Sequence, residues 1–163
     1  MNTIGTKLKE KGYDVTRIEY YDKIYDFKTD IFYNISQIKD KNKKIIRSRE
    51  IANELIPDYD IFHFMYGRTL ARDYSDIEMF KKLNKKIVMH HNGSDIRIYS
   101  QAIKQNPYFS LIKEDFFDKK KKLAENEIKE KLELLSNHID DCIVMDYELY
   151  EYVKDYYKNV HTN

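Results

Sequence analysis

Residues 86–97 have the sequence KIVMHHNGSDIR, in which an apolar run passes directly into a polar turn that contains a glycine. A continuous apolar run of this length is typical of a strand buried on both faces of a parallel sheet. Gly93 allows a tight turn and close approach of the backbone to a ligand. Ser94 or Asp95 is suited to cap a following helix. The stretch therefore predicts a strand, a turn and a helix, in that order.

Similar units extend in both directions from this stretch. The predicted strands are 13–20, 59–66, 86–90 and 141–145, with another beginning at 159–161. The predicted helices are 3–11 ended by Gly12, 42–56 closed by Pro57, 76–83 capped by Ser75, 98–135 broken near Pro107, and 147–156. This alternation predicts an α/β fold with a doubly wound, mainly parallel, Rossmann-like sheet in a single domain over residues 1–163.

The predicted sheet is expected to lack the strand that normally lies at its centre. A doubly wound domain normally begins with a strand and its phosphate-binding turn, and that strand lies at the centre of the sheet. Here the first predicted element is a helix, and the glycine-rich turn is absent. We therefore expect a domain that lacks its central strand and is a fragment of a larger protein.

Composition narrows the class of protein. Hydrophobic residues make up 42% and charged residues 35%, with a formal net charge of +1, which indicates a globular chain and gives no reason to expect nucleic acid as a partner. Cys142 is the one cysteine, so it has no internal disulfide partner and is expected to be buried. No signal peptide and no apolar run of about 20 residues is present, which predicts a cytoplasmic protein. The lysines at 119–122 predict a solvated helix face, or else peripheral contact with an anionic membrane.

Three stretches are placed to bind a ligand, because ligands of open α/β sheets lie beyond the carboxyl ends of the strands. They are residues 63–67, 90–97 and 145–146. Amides of a helix beginning at the 93–95 turn would favour an anion such as a diphosphate, and Arg97 adds a positive charge with bidentate geometry. An ordinary strand-to-helix turn with a capped helix explains the same residues.

A metal site is not expected. Of the five histidines only His90 and His91 are close in sequence, and neighbours on a strand point to opposite faces. His90 shares its face with Asn92, whereas His91 lies on the other face, where we expect a packed histidine.

The ordered motifs resemble those of one enzyme family. The stretch YDIFHF at 59–64, then DI followed by FKKLNKKIVMH at 76–90, then GSDIR at 93–97, resembles the N-terminal domain of GT-B-fold, GT4-like retaining glycosyltransferases. CIVMDYEL at 142–149 is similar to their later strand-to-helix step, and NVH at 159–161 to the strand that leads to their interdomain hinge.

The resemblance implies the acceptor-side domain of a two-domain enzyme that uses a nucleotide-sugar donor and no metal or other cofactor. Its acceptor would be a glycan or a lipid-linked sugar, in cell-envelope or capsular polysaccharide synthesis. The second, donor-binding domain is missing from this chain and would be supplied in cis or in trans. The residues that the resemblance and the strand ends together assign to the cleft are His63, Tyr66, His90, Asn92, Gly93, Ser94, Asp95, Arg97 and Asp146.

One departure from the family pattern bears on activity. Many relatives have histidine immediately before the glycine of the turn, where it can contact the donor sugar, and here that residue is Asn92. Asparagine can still donate and accept hydrogen bonds, but it cannot carry a proton. Two alternatives therefore stay open: a non-catalytic α/β module that binds a ligand or a protein, and an inactive truncated gene product.

Overall fold

The computed structural model describes residues 4–20, 29–106, 108 and 120–162, with the backbone alone for residues 120–124. Its helices are α1 (Ile4–Glu10), α2 (Lys41–Leu55), α3 (Ile77–Lys82), α4 (Tyr99–Gln105), α5 (Lys120–Ser136) and α6 (Tyr147–Val153). Its strands are β1 (Ile18–Glu19), β2 (Ile31–Phe32), β3 (Ile61–Met65), β4 (Lys86–His91), β5 (Asp141–Val144) and β6 (Asn159–Thr162).

The main sheet is entirely parallel. Its strand order is β3-β4-β5-β6, and each neighbouring pair is parallel. Since parallel strands need crossover connections, the helices between them follow from this arrangement. The fold is α/β with an all-parallel sheet, consistent with the Rossmann-like, doubly wound class that the alternation predicts.

The sheet is divided at the place where the sequence predicts a gap. β1 and β2 form a separate parallel pair, and no described strand pairs with both β1 and β3. The Tyr59 hydroxyl lies 3.0 Å from the Thr16 hydroxyl, which joins the segments that lead into β3 and β1. The two sheets are therefore linked by side chains at their strand entrances and not by a shared strand ladder.

The core lies on one face of the main sheet. Phe80 of α3 packs edge-on against Phe62 and Phe64 of β3, with ring centroids 4.8 and 5.7 Å apart. Met89 and Cys142 follow on the same face of β4 and β5, and both are completely buried. Burial raises the pKa of the Cys142 thiol to about 12, so this cysteine is a neutral core residue, as predicted.

Two features of the first half differ from the sequence prediction. Of the predicted strand 13–20 only Ile18–Glu19 forms a ladder, because its one described partner, β2, has two residues. Ser75 does not cap α3, since its hydroxyl lies 2.9 Å from the Asp73 carboxylate. The residue at the cap position is Asp76, whose carboxylate accepts hydrogen bonds from the Ala71 amide and the Thr69 hydroxyl instead.

The predicted helical region 98–135 is observed as α4 and α5, and residues 107 and 109–119 between them lie outside the described residues. Lys119 of the predicted lysine face is one of these, and the side chains of residues 120–122 are likewise not described. No helix in the described part of the chain is long and apolar enough to cross a bilayer.

The ion pair between α2 and the loop before α3 predicts a loss of stability in acid. Hydrogen bonds from Arg49 lower the pKa of Asp73 to about 2. Because this is below the value of about 3.9 in an unfolded chain, the pair stabilises the fold fully above that pH, and the contribution is lost as pH falls toward 2. The Arg49 side chain is 53% exposed, so solvent screening keeps this contribution small.

Arg49→Gln is therefore expected to move the acid-unfolding midpoint, followed by circular dichroism, to higher pH. Lys154→Gln is the control, because Lys154 pairs with Glu151 only three residues away, so this ion pair does not join separate segments of the chain. Equal midpoints for the two variants would contradict the assignment.

Candidate functional site at the carboxyl end of β4

The turn after β4 is organised by the carboxylate of Asp95. One oxygen, Oδ1, accepts hydrogen bonds from the backbone amides of Asn92 and Gly93, each at 3.1 Å. The other oxygen lies 2.6 Å from Nδ1 of His91. The Asp95 side chain is only 7% exposed. Asp95 thus points into the protein and fixes the backbone of the turn.

A buried hydrogen-bond chain continues from Asp95 into the core. Nε2 of His91 lies 2.9 Å from the hydroxyl of Tyr157, just before β6, and both residues are buried. Burial raises the pKa of Tyr157, so its hydroxyl stays protonated. Burial has the largest single effect on Asp95 and raises its pKa, but the hydrogen bond and charge of His91 together with backbone hydrogen bonds outweigh it, so the net shift is downward. In the neutral imidazole, Tyr157 therefore donates to Nε2 while Nδ1–H donates to the Asp95 carboxylate.

A lysine from α5 joins the end of β3 to this turn. Nζ of Lys131 donates to the backbone carbonyl of Asp95 at 2.8 Å. The same amine lies over Gly67, where a Cβ atom would come within 3.1 Å of it. Burial lowers the pKa of Lys131, and the nearby Arg68 acts in the same direction, while Asp95 opposes the shift. A half-buried cation thus stands between two strand ends.

Arg97 covers the glycine of the turn. Nε and Nη2 of Arg97 lie 3.0 and 3.2 Å from the carboxylate of Glu148 in α6. Nη1 takes no part in this pair and lies over Gly93, where a Cβ atom would be 2.6 Å away. Hydrogen bonding to Glu148 raises the pKa of Arg97, so the guanidinium keeps its charge. The ion pair therefore presents one guanidinium nitrogen at the surface of the turn.

Gly93→Ala is expected to lower the free energy of unfolding by about 1–3 kcal/mol, because φ at this position is +112° and the new methyl group would collide with Arg97. Urea denaturation measures the change. Gly12→Ala is the matched control, since Gly12 has φ of +88° but no atom within 4 Å of its added Cβ. A cost at Gly93 no greater than that at Gly12 would show that Arg97 does not pack there.

His63 and His90 form a stacked pair on the sheet face opposite His91. Their ring centroids are 5.5 Å apart and their planes differ by 5°. His90 is 5% exposed, and neither of its ring nitrogens has a hydrogen-bond partner among the described residues. Burial lowers the pKa of both histidines, and the proximity of His90 lowers that of His63 further. Both rings are therefore held in the neutral form.

The remaining predicted residues lie around the same edge of the sheet. Tyr66 follows β3 with φ of +61°, is half exposed, and donates its amide to the His90 carbonyl at 3.0 Å. Ser94 is exposed on the turn. Asp146 follows β5 and caps α6, since its carboxylate accepts the Leu149 amide at 2.9 Å. Asp146 is thus at the strand end, as predicted, but its side chain supports a helix.

The helix predicted to begin at the turn does not begin there. α4 starts at Tyr99 and is preceded by Ile98, which makes no side-chain cap. Neither Ser94 nor Asp95 caps this helix. The Asp95 carboxylate instead bonds to His91 and to the backbone amides of Asn92 and Gly93. The prediction that a capped helix begins at this turn is therefore wrong, and the positive charge near the turn comes from side chains instead.

Sequence reasoning missed three supporting residues, Lys131, Glu148 and Tyr157. They are 36, 51 and 66 positions away from the residues that they contact. No local motif marks them, because their roles arise from the packing of α5, α6 and the approach to β6 against the turn. His91 itself is packed in the core, as the alternation of side chains predicts.

Comparison with known proteins assigns this chain to no family. No family model, no curated protein and no solved structure matches this chain. Within the described ranges no group of three or more His, Cys, Asp or Glu side chains is arranged to hold a metal ion. Any function for the site therefore has to be argued from its own geometry.

Proposed function

We propose that this chain is the acceptor-side domain of a nucleotide-sugar-dependent glycosyltransferase of polysaccharide synthesis. The proposal joins the resemblance of the ordered motifs to a parallel α/β sheet in which the turn held by Asp95 lies at a strand's carboxyl end. That edge is where open α/β sheets bind their ligands. Nucleotide-sugars are cytoplasmic metabolites, so the proposal also places the protein in the cytoplasm.

The observation that carries the proposal is the placement of Arg97. Glu148 fixes two of its nitrogens, and the third lies over Gly93, where the backbone has no side chain. A ligand that approached the glycine would meet a guanidinium nitrogen that is already oriented, which reduces the entropy lost on binding. Lys131 adds a second, half-buried positive charge beside Gly67. Two cations and two glycine turns suit an anionic or hydroxyl-rich substrate such as a sugar phosphate.

The turn is also rigid enough to serve as a binding surface. The Asp95 carboxylate, His91 and Tyr157 hold its backbone from inside, so that no loop closure is needed to form it. A preorganised site keeps more of its interaction energy as affinity. Asn92, next to Gly93, can offer hydrogen bonds to a sugar but no proton, so it is assigned to binding and not to acid–base catalysis.

Titration of the ¹⁵N-labelled chain with nucleotide-sugars and with short acceptor oligosaccharides tests the proposal. We expect saturable amide shifts centred on residues 92–97 and 67, with an affinity for a phosphate-bearing sugar that Arg97→Gln lowers roughly tenfold. Arg47→Gln, an exposed change on α2, is the control. Saturation without shifts at the turn, or equal binding by both variants, would reject the proposal.

Transfer is tested separately. These 163 residues alone are expected to form no glycoside product, because under this proposal a second domain binds most of the donor. Product formation when such a domain is supplied in trans would support the transferase, whereas binding that never leads to transfer would favour a non-catalytic sugar-binding module.

A further inference from the structure

The open face of the main sheet carries an unusual row of donor atoms. In the register of the sheet Met65 of β3 pairs with His90 of β4, so their side chains lie on the same face. His63, two residues before Met65, shares that face and stacks its ring on His90. Met65 is 47% exposed and Ile61, further along the strand, is 67% exposed. Two imidazoles and a thioether are therefore clustered on a face that is open to solvent at β3.

His90 is the reason to regard this cluster as a binding site. His90 is only 5% exposed, yet neither of its ring nitrogens has a hydrogen-bond partner among the described residues. Buried polar atoms in native proteins are almost always satisfied, and an exception indicates a role such as binding an ion. A buried histidine kept only for packing normally bonds at least one nitrogen, as His91 does on the opposite face.

We propose that His63, Met65 and His90 bind a single copper(I) ion. Thioether sulfur selects copper(I) over harder divalent ions, and imidazole suits copper in either oxidation state. Coordination uses the lone pair of a ring nitrogen, and neither nitrogen of His90 has a hydrogen-bond partner among the described residues that would compete for it. This donor set contains no thiolate or carboxylate, so zinc, calcium and magnesium are poor matches.

The spacing of the rings fits coordination. A metal–nitrogen bond of about 2 Å places the centre of a bound imidazole roughly 3 Å from the ion, so two rings on one ion have centres at most about 6 Å apart. The observed separation is 5.5 Å. The separation of the two rings therefore lies within the range that two imidazoles bound to one ion require.

Competition between the full chain, without a histidine tag, and a chromophoric copper(I) chelator tests the site under anaerobic, reducing conditions. We expect one copper(I) per chain. His63→Asn is expected to lower the affinity at least about tenfold, and Met65→Leu to lower it by a similar factor while leaving the weaker binding of nickel(II) unchanged. His63 and Met65 are the accessible members, so both variants should keep the far-ultraviolet circular dichroism of the parent chain.

Two controls separate this site from other copper ligands. His161→Asn changes a histidine two strands away on the same face, and Cys142→Ala removes the buried thiol on the other face. Neither is expected to alter the affinity. Failure of the chain to take copper(I) from the chelator, or an equal loss in the His161 or Cys142 variant, would overturn the proposal. None of these outcomes depends on the glycosyltransferase proposal.

Discussion

Asp95→Ala is expected to lower the free energy of unfolding by about 3–5 kcal/mol. The carboxylate satisfies three donors at once: the ring of His91 and the amides of Asn92 and Gly93. Removing it leaves these donors without their acceptor in a site that is almost closed to water. Each unsatisfied buried donor costs about 1–3 kcal/mol.

Urea denaturation followed by tyrosine fluorescence measures this loss. Asp95→Asn is the informative second variant, because it keeps the shape and one acceptor oxygen and should cost less than alanine. Asp155→Ala removes an exposed carboxylate after α6 and is expected to change stability by less than about 0.5 kcal/mol. If Asp95→Ala behaved like Asp155→Ala, the turn would not depend on the buried carboxylate.

A double-mutant cycle of Asp95→Asn with Tyr157→Phe tests whether the chain of hydrogen bonds acts as a unit. Both residues contact His91, one at each ring nitrogen. We expect a coupling free energy of about 0.5–3 kcal/mol, since residues of one network rarely contribute additively. Strictly additive changes in the free energy of unfolding would mean that Asp95 and Tyr157 are not coupled through His91.

Phe80→Ala is expected to destabilise the fold by about 3–5 kcal/mol. Phe80 is the single aromatic residue of α3, it is 1% exposed, and it packs against Phe62 and Phe64 of β3. Alanine there would leave a cavity between helix and sheet that the rigid strand cannot fill. The aromatic edge-to-face contacts, worth about 0.5–1.5 kcal/mol beyond buried area, would be lost as well.

Thermal and chemical denaturation check this prediction. Tyr13→Ala is the control, since Tyr13 is an aromatic residue that is 63% exposed. Phe80→Leu should lie between the two, because leucine refills most of the space. An Asp95→Ala effect with no Phe80→Ala effect would show that α3 is not part of the cooperative core.

The features that the sequence predicts correctly are those that depend on neighbouring residues. The apolar run at 86–90 predicts β4, which is observed as Lys86–His91. Gly12, which was expected to end the first helix, follows α1 and has a left-handed φ of +88°. The alternation of side chains along a strand separated His90 from His91 correctly, because that alternation is a property of the extended backbone itself. The α/β class follows from the same local periodicities.

The hydrogen-bond partner of each polar side chain could not be predicted from the residue types alone. Ser75 and Asp95 have the composition of helix caps, yet Ser75 bonds Asp73, and Asp95 turns inward to His91. Both choices depend on neighbours that the local sequence does not reveal, since a capping side chain and a buried partner compete for the same oxygen. The shortness of β1 has a similar cause, because a strand extends only as far as its partner.

By itself, therefore, the sequence determined the order and type of the elements from α2 onward, but not β2, and it indicated the edge of the sheet where a ligand would bind. Only the tertiary structure decided the contents of that site. It brought Lys131, Glu148 and Tyr157 to a turn 36 to 66 positions away, and it stacked His63 on His90 across two strands. The periodicity of an element depends on neighbouring residues, whereas these contacts form only when distant segments pack together.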